Sequence, residues 1–448
     1  MIVDIVLTNA KAYSKKEIVD CSIAIENGEI LKIGKETNMP DADERINLGD
    51  HLVLPGLIDC HVHLRDEGKA YKEDFFSGTA AAAAGGVTTV LDMPNNEPVT
   101  MSVEALRNRM EIAERKALVN VGFYSEFPRT LDQVNAIVAE GAIAFKLFMA
   151  NQVGGVDVDH DAALEEAFKK AGEADVPVAV HAEDKTLISA KEQELKHAKR
   201  EDARAFLKAH PEQAELKAIE RVLKLTAHAK TRVHFCHVTI KDGLESIAEA
   251  KKTGRKVTCE ATPHHLLLSS ADFERLGSML AVMPPLRDNT HIEALWKGIS
   301  EGSVDVLGSD HAPHTLEEKS ASSIWDVKVG VPGLETMLPL LLTMVRKNRL
   351  SLERLVGLVA EKPAEIFNLT GRGRLEHGCK ADLVAIDFNR KFKLNASQFH
   401  SKAKYSLYNG WEVQGKPVKT FVNGQLIMDE GEIVAKAGSG EILRRDRA

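Results

Sequence analysis

Eight compact apolar runs divide the middle of the chain, and most of them end in polar or charged residues. They are "GLIDCHVH", "GVTTVLDMP", "VNVGFYSEF", "AIAFKLFM", "VPVAVHAED", "RVHFCHVT", "KVTCEATPHH" and "VDVLGSDHAPH". Between them lie stretches such as 102–118, 160–174 and 240–254, whose apolar positions are three and four apart, as in helices. Continuous apolar strands, each followed by a helix, are typical of a parallel sheet covered by helices, and eight such units predict a TIM-type (β/α)8 barrel. A doubly wound open sheet has the same pattern and is the structural alternative.

The two ends of the chain have a different pattern. Residues 1–54 contain short alternating strands with turns, and Asn27-Gly28 between two apolar runs predicts a hairpin. Residues 371–448 return to this style around Asn423-Gly424. We therefore predict that 1–54 and 371–448 together form one small β-sandwich module, and that 55–370 form the barrel.

Composition narrows the class of partner and the compartment. The net charge of −8 and the sequence pI near 6.1 argue against a general nucleic-acid or anionic-membrane surface, since either needs a basic stripe. Five cysteines, odd in number and widely spaced, predict neither a disulfide framework nor a CxxC metal site. The start has no signal-peptide pattern, and no apolar stretch is long enough to span a bilayer. These features predict a cytoplasmic protein.

Candidate chemistry lies at the ends of the predicted strands, where barrels of this type carry their catalytic groups. The strand-end candidates are His61, His63, Lys146, His181, His237 and Asp310. His61 and His63 are two apart on a strand and therefore point the same way, although 17 histidines in 448 residues give about 0.6 His-x-His pairs by chance. A lone histidine is usually a core residue, and an Asp after a strand is usually a helix cap. The five histidine and aspartate candidates at one barrel face favour a metal centre, because burying them together without a cation is costly.

Two candidates leave alternatives open. Lys146 stands inside the apolar "AIAFKLFMA", where an ammonium group is costly to bury. It either reaches solvent from the strand end, or pairs with a carboxylate, or is deprotonated and carries CO2 as a carbamate that bridges two metals. In the sixth run, His234 and His237 compete for the same role on sequence grounds.

Several motifs, in order along nearly the whole chain, carry a family likeness. They are "HVHLRDEGKAYKEDFFSGTAAAAAGGVTTVLDMPNNEP", "FKLF", "VAVHAED", "CHVT", "TPHHL", "SDHAPHTLEEK", "GLETMLPLLLT" and "YNGWEVQGKPVKTFVNGQLI". Together they resemble the dihydroorotases of the amidohydrolase superfamily. The combination is more specific than any single motif, since His-x-His occurs in many amidohydrolases.

The resemblance implies a role for each candidate. It implies two Zn²⁺ ions, the first held by His61, His63 and Asp310, the second by His181 and His237, and both bridged by carboxylated Lys146. The family pattern selects His237 over His234, and it makes Asp310 the proton shuttle. Arg65, Asn95 and His314 match the positions that bind the substrate's carboxylate.

The activity implied by the resemblance is the reversible cyclisation of N-carbamoyl-L-aspartate to (S)-dihydroorotate and water in pyrimidine biosynthesis. In the hydrolytic direction, a hydroxide bridging the metals attacks the ring amide, and Asp310 acts as general base and then acid. Alternatives are another cyclic amidohydrolase, such as a hydantoinase, dihydropyrimidinase or allantoinase, and a non-catalytic scaffold relative. A homo-oligomer and a complex with aspartate transcarbamoylase are the two assemblies that the sequence leaves open.

Two positions depart from the family pattern. Glu67-Gly68 stands where the family often has Pro-Gly, in a loop with no expected contact to the metals. Met283 stands where many members carry an Asn that contacts the pyrimidine ring. The second departure bears on the details of substrate recognition rather than on the metal chemistry.

Overall fold

The computed structural model describes residues 2–445. In chain order the strands are β1 Ile2–Ser14, β2 Glu17–Glu26, β3 Glu29–Gly34, β4 Asp41–Pro55, β5 Leu57–Val62, β6 Val87–Asp92, β7 Asn120–Glu126, β8 Ala144–Phe148, β9 Val178–His181, β10 Val233–Phe235, β11 Val257–Ala261, β12 Val306–Leu307, β13 Leu383–Lys393, β14 Glu412–Val422, β15 Gln425–Asp429 and β16 Glu432–Ile433. The α-helices are α1 Phe75–Ala84, α2 Val103–Lys116, α3 Val134–Glu140, α4 Asp161–Glu173, α5 Lys185–His197, α6 Ala203–Ala209, α7 Glu212–Leu225, α8 Lys241–Lys252, α9 Pro263–Leu267, α10 Phe273–Leu276, α11 Asn289–Glu301, α12 Leu316–Lys319, α13 Leu334–Arg346, α14 Leu352–Val356 and α15 Lys362–Ile366. Short 3₁₀ turns at Glu36–Asn38, Leu131–Gln133, Ser270–Asp272, Gly277–Leu280 and Ala396–Gln398, and a π-helical turn at Gly357–Glu361, complete the helical segments.

Strands β5 to β12 form the predicted barrel. They lie side by side in chain order, and each pairs in parallel with the next. A parallel bridge between Val62 and His311 joins the two ends of this sheet, and the backbone N–H of His63 donates to the carbonyl of His311 at 2.8 Å. The sheet is therefore closed, which excludes the open doubly wound alternative.

The barrel strands are apolar on both faces because both faces are covered. Every residue of β5, β6 and β7 is buried, with no alternation between exposed and buried positions. The outer helices bury one stripe each, and α4 does so with Leu164, Ala167, Phe168 and Ala171, spaced three and four apart. Within residues 2–445, no helix combines the length and the apolar character needed to cross a membrane.

The chain ends share a second sheet, ordered β16-β15-β14-β13-β4-β1-β2-β3. Its two halves meet where β4 and β13 run antiparallel, with Pro55 opposite Leu383. The predicted hairpin at Asn27-Gly28 forms, and a second one forms at Asn423-Gly424. Both pairs have positive φ at both residues, as a type I′ turn requires. This sheet fits the predicted small β-sandwich built from both ends. The boundaries at 54/55 and 370/371 stay a prediction.

The excursion between β13 and β14, residues 394–411, connects the chain-end module with the open face of the barrel. Lys402 Nζ lies 2.6 Å from Asp74 Oδ2, at the cap of α1, and Ser401 Oγ donates to Glu73. The loop that follows β5 is therefore held by residues far away in sequence.

Candidate metal centre and active site

A cavity of about 250 Å³ opens at the carboxyl ends of the barrel strands. It is lined by eight of the nine residues singled out from the sequence: His61, His63, Arg65, Asn95, His181, His237, Asp310 and His314. The ninth, Lys146, is fully buried in the middle of β8. The strand-end pattern therefore brings the candidates to one place.

One group around His61 can hold a metal ion. One ligand atom each from His61, His63 and Asp310 lie within 4.8 Å of one another. Asp310 Oδ1 is 3.3 Å from Nε2 of both histidines. Two imidazole nitrogens and a carboxylate oxygen form a donor set suited to zinc.

The outer ring nitrogens of these histidines are fixed by other side chains. His61 Nδ1 donates to Glu260 Oε1 at 2.5 Å, and His63 Nδ1 donates to Asn95 Oδ1 at 2.7 Å. Both imidazoles therefore present Nε2 toward Asp310. A second partner that fixes the tautomer and orientation is the usual arrangement around metal-binding histidines.

A second histidine pair lies beside the first. His181 Nε2 donates to Glu183 at 2.9 Å, which leaves Nδ1 facing His237 Nε2 at 3.1 Å. The ring centroids of His61 and His237 are 5.2 Å apart, so the two pairs are adjacent. His234 lies deeper, against Thr258 and Glu260, and does not line the cavity.

Lys146 has neither of the ordinary environments of a lysine. Its side chain is fully buried, so it does not reach solvent from the strand end. Its Nζ lies 3.0 Å from Cys236 Sγ and 4.9 Å from the centroid of the Phe148 ring, and no carboxylate in residues 2–445 forms an ion pair with it. A permanent ammonium group here would be costly to bury, and a carbamate anion in its place would need cations at the adjacent histidines.

The charged side chains of the histidine cluster are arranged in a way that suits a bound cation. Burial alone would lower the pKa of His61, but the negative charges around it, first Glu260 and then Asp310, act together to raise it to about 10. Burial lowers the pKa of His63 to about 4. Burial opposes ionisation of Asp310, but the neighbouring His61 and His63 hold its pKa below the usual range. Two ionised carboxylates thus flank His61 in the protein interior.

Three cavity residues have a strained backbone. Arg65, His237 and Asp310 have φ of 62°, 36° and 47°, in the left-handed region that non-glycine residues rarely adopt. Such conformations persist where the surrounding structure determines them, and the His237 N–H, for example, donates to Glu260 at 2.9 Å. The strain is located where side chains leave the strand ends and enter the cavity.

Arg65 is buried, but it forms no ion pair with any of residues 2–445. The two neighbouring acids that could have paired with it have other partners: Asp92 binds Arg109 at 2.5 Å, and Asp66 binds Lys116 at 2.6 Å. Its side chain makes a long contact, 3.4 Å from NH2 to His314 Nε2, and its Nε has no hydrogen-bond partner among the described residues. A buried guanidinium beside a cavity without a counter-ion is arranged for an anionic ligand.

Asn95 and His314 are already partly engaged. Because Asn95 Oδ1 accepts from His63, its amide nitrogen remains free to donate into the cavity. His314 Nε2 donates to the Val329 carbonyl at 2.9 Å, and its Nδ1 accepts from Lys72 Nζ at 3.1 Å. In this arrangement His314 shapes the wall next to Arg65, and a ligand would have to displace Val329 to receive its proton.

Sequence reasoning missed Glu260 and Lys72. Glu260, at the end of β11, accepts from the His61 ring and the His237 backbone, so it organises both histidine pairs. A glutamate inside the apolar run "KVTCEATPHH" was the available signal. Lys72, nearly fully buried, binds Glu318 at 2.7 Å as well as His314, and nothing in its local sequence indicates this.

Comparisons with known proteins show the family of the chain. The model of the amidohydrolase family matches residues 52–427. A dihydroorotase from Methanothermobacter thermautotrophicus is 38% identical over 93% of this chain and 93% of its own length. An L-hydantoinase from Paenarthrobacter aurescens is 35% identical over 99% of this chain and 98% of its own.

A solved structure gives the same result for the fold. The structure of L-hydantoinase (dihydropyrimidinase) from Arthrobacter aurescens superposes with a TM-score of 0.95 and 34% identity, covering 99% of this chain and 100% of that chain. These relatives are named for reactions on cyclic amides, so the chain is a hydrolase of that class. The chain belongs to the amidohydrolase family.

Proposed function

We propose that this protein is a dihydroorotase, which interconverts N-carbamoyl-L-aspartate and (S)-dihydroorotate with loss or gain of water. The observation that carries the proposal is the environment of Arg65. Its guanidinium is buried at the edge of the cavity that contains the histidine cluster, and it has no ion-pair partner in the described part of the chain. Dihydroorotate carries a ring carboxylate, whereas hydantoin, dihydrouracil and allantoin carry none. An anionic ring supplies the counter-ion that Arg65 lacks.

The surroundings of Arg65 support an anionic substrate. The free amide nitrogen of Asn95 is a neutral donor on the same side of the cavity, and exposed Lys328 lines the cavity as well. Lys72 adds a further positive charge behind His314, although Glu318 compensates it. Arg65 and Asn95 would hold the carboxylate directly, and His314 would complete the subsite after exchanging its bond to Val329.

We propose that the histidine cluster holds two Zn²⁺ ions. His61, His63 and Asp310 would bind the first, His181 and His237 the second, and a carboxylated Lys146 would bridge them. When bound, the ions would polarise the ring amide and make a water-derived nucleophile available near neutral pH. The buried amine of Lys146, without a carboxylate partner, and the converging ring nitrogens support this assignment.

The remaining chemistry belongs to Asp310. In the hydrolytic direction, water adds to the ring amide carbon and the bond from that carbon to nitrogen breaks. Asp310 Oδ would accept the proton of the attacking water and deliver it to the leaving nitrogen. Its lowered pKa keeps it ionised and ready to accept a proton at neutral pH.

A second candidate is hydrolysis of a hydantoin, because the L-hydantoinase relative is about as similar as the dihydroorotases. Phe148, Val153 and Met283 give one side of the cavity an apolar lining that would suit an uncharged substituent. Against this candidate stands Arg65, which would then remain buried without a counter-ion.

The test compares substrates directly. Purified protein of known metal content is assayed with dihydroorotate, hydantoin, dihydrouracil and allantoin, and with N-carbamoyl-L-aspartate in the reverse direction. The proposal expects kcat/KM for dihydroorotate to exceed that for each neutral ring by at least the worth of a charge-assisted contact, about 10- to 150-fold. A preference for hydantoin would replace dihydroorotase with hydantoinase.

Location and partners follow from the proposed pathway. The five cysteines are free, as is usual in a reducing compartment, and a step of pyrimidine synthesis fits a cytoplasmic protein. The proposed substrate is a small molecule. Self-association and association with aspartate transcarbamoylase stay predictions, which size measurements with and without the transcarbamoylase would test.

A further inference from the structure

Glu73 is a fully buried carboxylate outside the cavity. Both of its oxygens accept two hydrogen bonds. Oε1 accepts from Ser77 Oγ and from the backbone N–H of Lys402 at 3.3 Å, and Oε2 accepts from Ser401 Oγ and from His311 Nε2 at 3.3 Å. The four donors come from three separate parts of the chain: helix α1, the segment after β12, and the excursion 394–411.

His311 connects Glu73 to the half of the cavity that contains His61, His63, His181, His237 and Asp310, which we call the metal half. It follows Asp310 directly, and its carbonyl accepts the backbone N–H of His63 at 2.8 Å. Its ring is fixed at both nitrogens, since Nδ1 accepts from the N–H of Gly333 at 3.1 Å and Nε2 donates to Glu73. Glu73 therefore holds the strand end that positions both Asp310 and His63.

Lys72 connects the same loop to the other half of the cavity. Its Nζ binds Glu318 at 2.7 Å and His314 at 3.1 Å. Consecutive residues Lys72 and Glu73 thus tie the loop after Arg65 to the segment after β12 at two points, His314 and His311.

The excursion closes this arrangement from outside. Lys402 Nζ binds Asp74 Oδ2 and the Ala70 carbonyl, both at 2.6 Å, in addition to the Glu73 contacts of Ser401 and of the Lys402 backbone. The loop of residues 65–74 lies between the barrel and the chain-end module, and Glu73 is where all of these segments meet.

We propose that Glu73 is a positioning residue that sets Arg65 and His314 relative to Asp310, and that the chain-end excursion completes the active site through it. The role of Glu73 toward Arg65 rests on the proposed function, whereas its role toward Asp310 does not. Because a carboxylate here serves four donors, a glutamine of the same shape leaves two donors facing an NH2 group.

The main experiment is Glu73→Gln with kcat, KM, metal content and a melting curve. We expect kcat to fall about 10- to 100-fold, as is typical when a residue that orients the functional groups is lost, and KM for dihydroorotate to rise. Metal content should equal that of the parent, because no predicted ligand is altered.

The matched control is Glu335→Gln. Glu335 is also largely buried and accepts two backbone N–H bonds from the same excursion, from His400 at 2.9 Å and from Ser401 at 3.2 Å. Within residues 2–445, its side chain forms no hydrogen bond to the loop 65–74 or to His311. We expect this variant to lose a similar amount of melting temperature while keeping kcat within about threefold of the parent. Equal kcat losses in both variants would show that Glu73 acts only on folding, and would overturn the proposal.

A second variant serves if Glu73→Gln does not fold. Lys402→Met removes the contacts to Asp74 and Ala70 from a side chain that is 36% exposed, and should raise KM for dihydroorotate about three- to tenfold with kcat unchanged. An unchanged KM would contradict the role of the excursion. If the parent does not hydrolyse dihydroorotate, the proposed function fails, and kcat on the ring that the parent does cleave still decides the role of Glu73 toward Asp310.

Discussion

The two halves of the cavity are built in different ways. In the metal half, His61, His63 and His181 each have their outer ring nitrogen fixed by a side chain, from Glu260, Asn95 and Glu183. In the anion half, formed by Arg65, Asn95 and His314, Arg65 lies on a loop and has no ion-pair partner among the residues that the structure describes. The barrel thus pre-organises the donors for a cation, whereas the loops leave one charge uncompensated for a ligand. This difference means that damage to the metal half should affect every substrate, and damage to the anion half should affect charged substrates.

The largest effect is expected from loss of the metals or of their bridge. We expect the purified parent to carry about two zinc ions per chain, and chelation to abolish activity on all rings. Lys146→Ala should lose bound metal and most activity, since the two sites would then lack their common ligand. Elemental analysis beside the assay is the measurement. A variant with parental metal content and rate would contradict the bridge, and an active parent without metal would contradict the whole centre.

Asp310→Asn should have the next largest effect. The amide cannot accept the proton of the attacking water, and general acid–base contributions of this kind are worth about 10²-fold or more in rate. The loss should be the same for dihydroorotate and for any neutral ring that the parent cleaves, because proton transfer is common to both. Single-substrate kinetics and a melting curve test this, and a rate equal to that of the parent would remove Asp310 from the mechanism.

The metal half was largely predictable, because its geometry follows from the strand. Polar residues at the ends of eight apolar runs must meet at one face of a closed barrel, and His61 and His63, two apart, must point the same way. The hairpins at Asn27-Gly28 and Asn423-Gly424 were predictable for a similar reason, since a type I′ turn depends on two adjacent residues.

The supporting contacts were not predictable, because they join residues far apart in sequence. Glu260 reaches His61 across 199 positions, and Ser401 reaches Glu73 across 328. No local period or turn signal specifies such pairs. The engagement of His314 by Lys72 and Val329 likewise depends on how the loops pack after the strands have closed.

Arg65→Met tests the anion half. Breaking hydrogen bonds to a charged group costs about 1.5–3 kcal/mol, which corresponds to about 10- to 150-fold in kcat/KM for dihydroorotate. Neutral rings should change little, or improve once the uncompensated charge is gone. The measurement is kcat/KM for both ring types in parent and variant, with a melting curve as control. A parallel loss on charged and neutral rings would place Arg65 in the general scaffold instead.

Glu260→Gln tests whether the metal half depends on its supporting carboxylate. The variant keeps the shape but weakens the bond to His61 Nδ1 and the bond from the His237 backbone. Residues that orient metal-binding histidines typically contribute about 10- to 100-fold in affinity or activity. Zinc affinity, measured by competition with a chelator, should fall with the rate. Unchanged affinity would mean that the barrel itself orients the histidines.

The smallest effect concerns the charge state of His314. Burial first, and then the charges of Arg65 and Lys72, lower the pKa of His314 to about 3. The unfolded chain has the ordinary histidine pKa of about 6.5, so as the pH falls below that value the unfolded state binds the proton first and the folded state loses stability. His314→Gln has no such group, and between about pH 7.5 and pH 5 its free energy of unfolding should fall less than that of the parent, by up to about 2 kcal/mol. Chemical denaturation of both proteins at the two pH values measures this difference. Identical pH dependence would show that His314 titrates normally, and the anion half would then gain a second positive charge at mildly acidic pH.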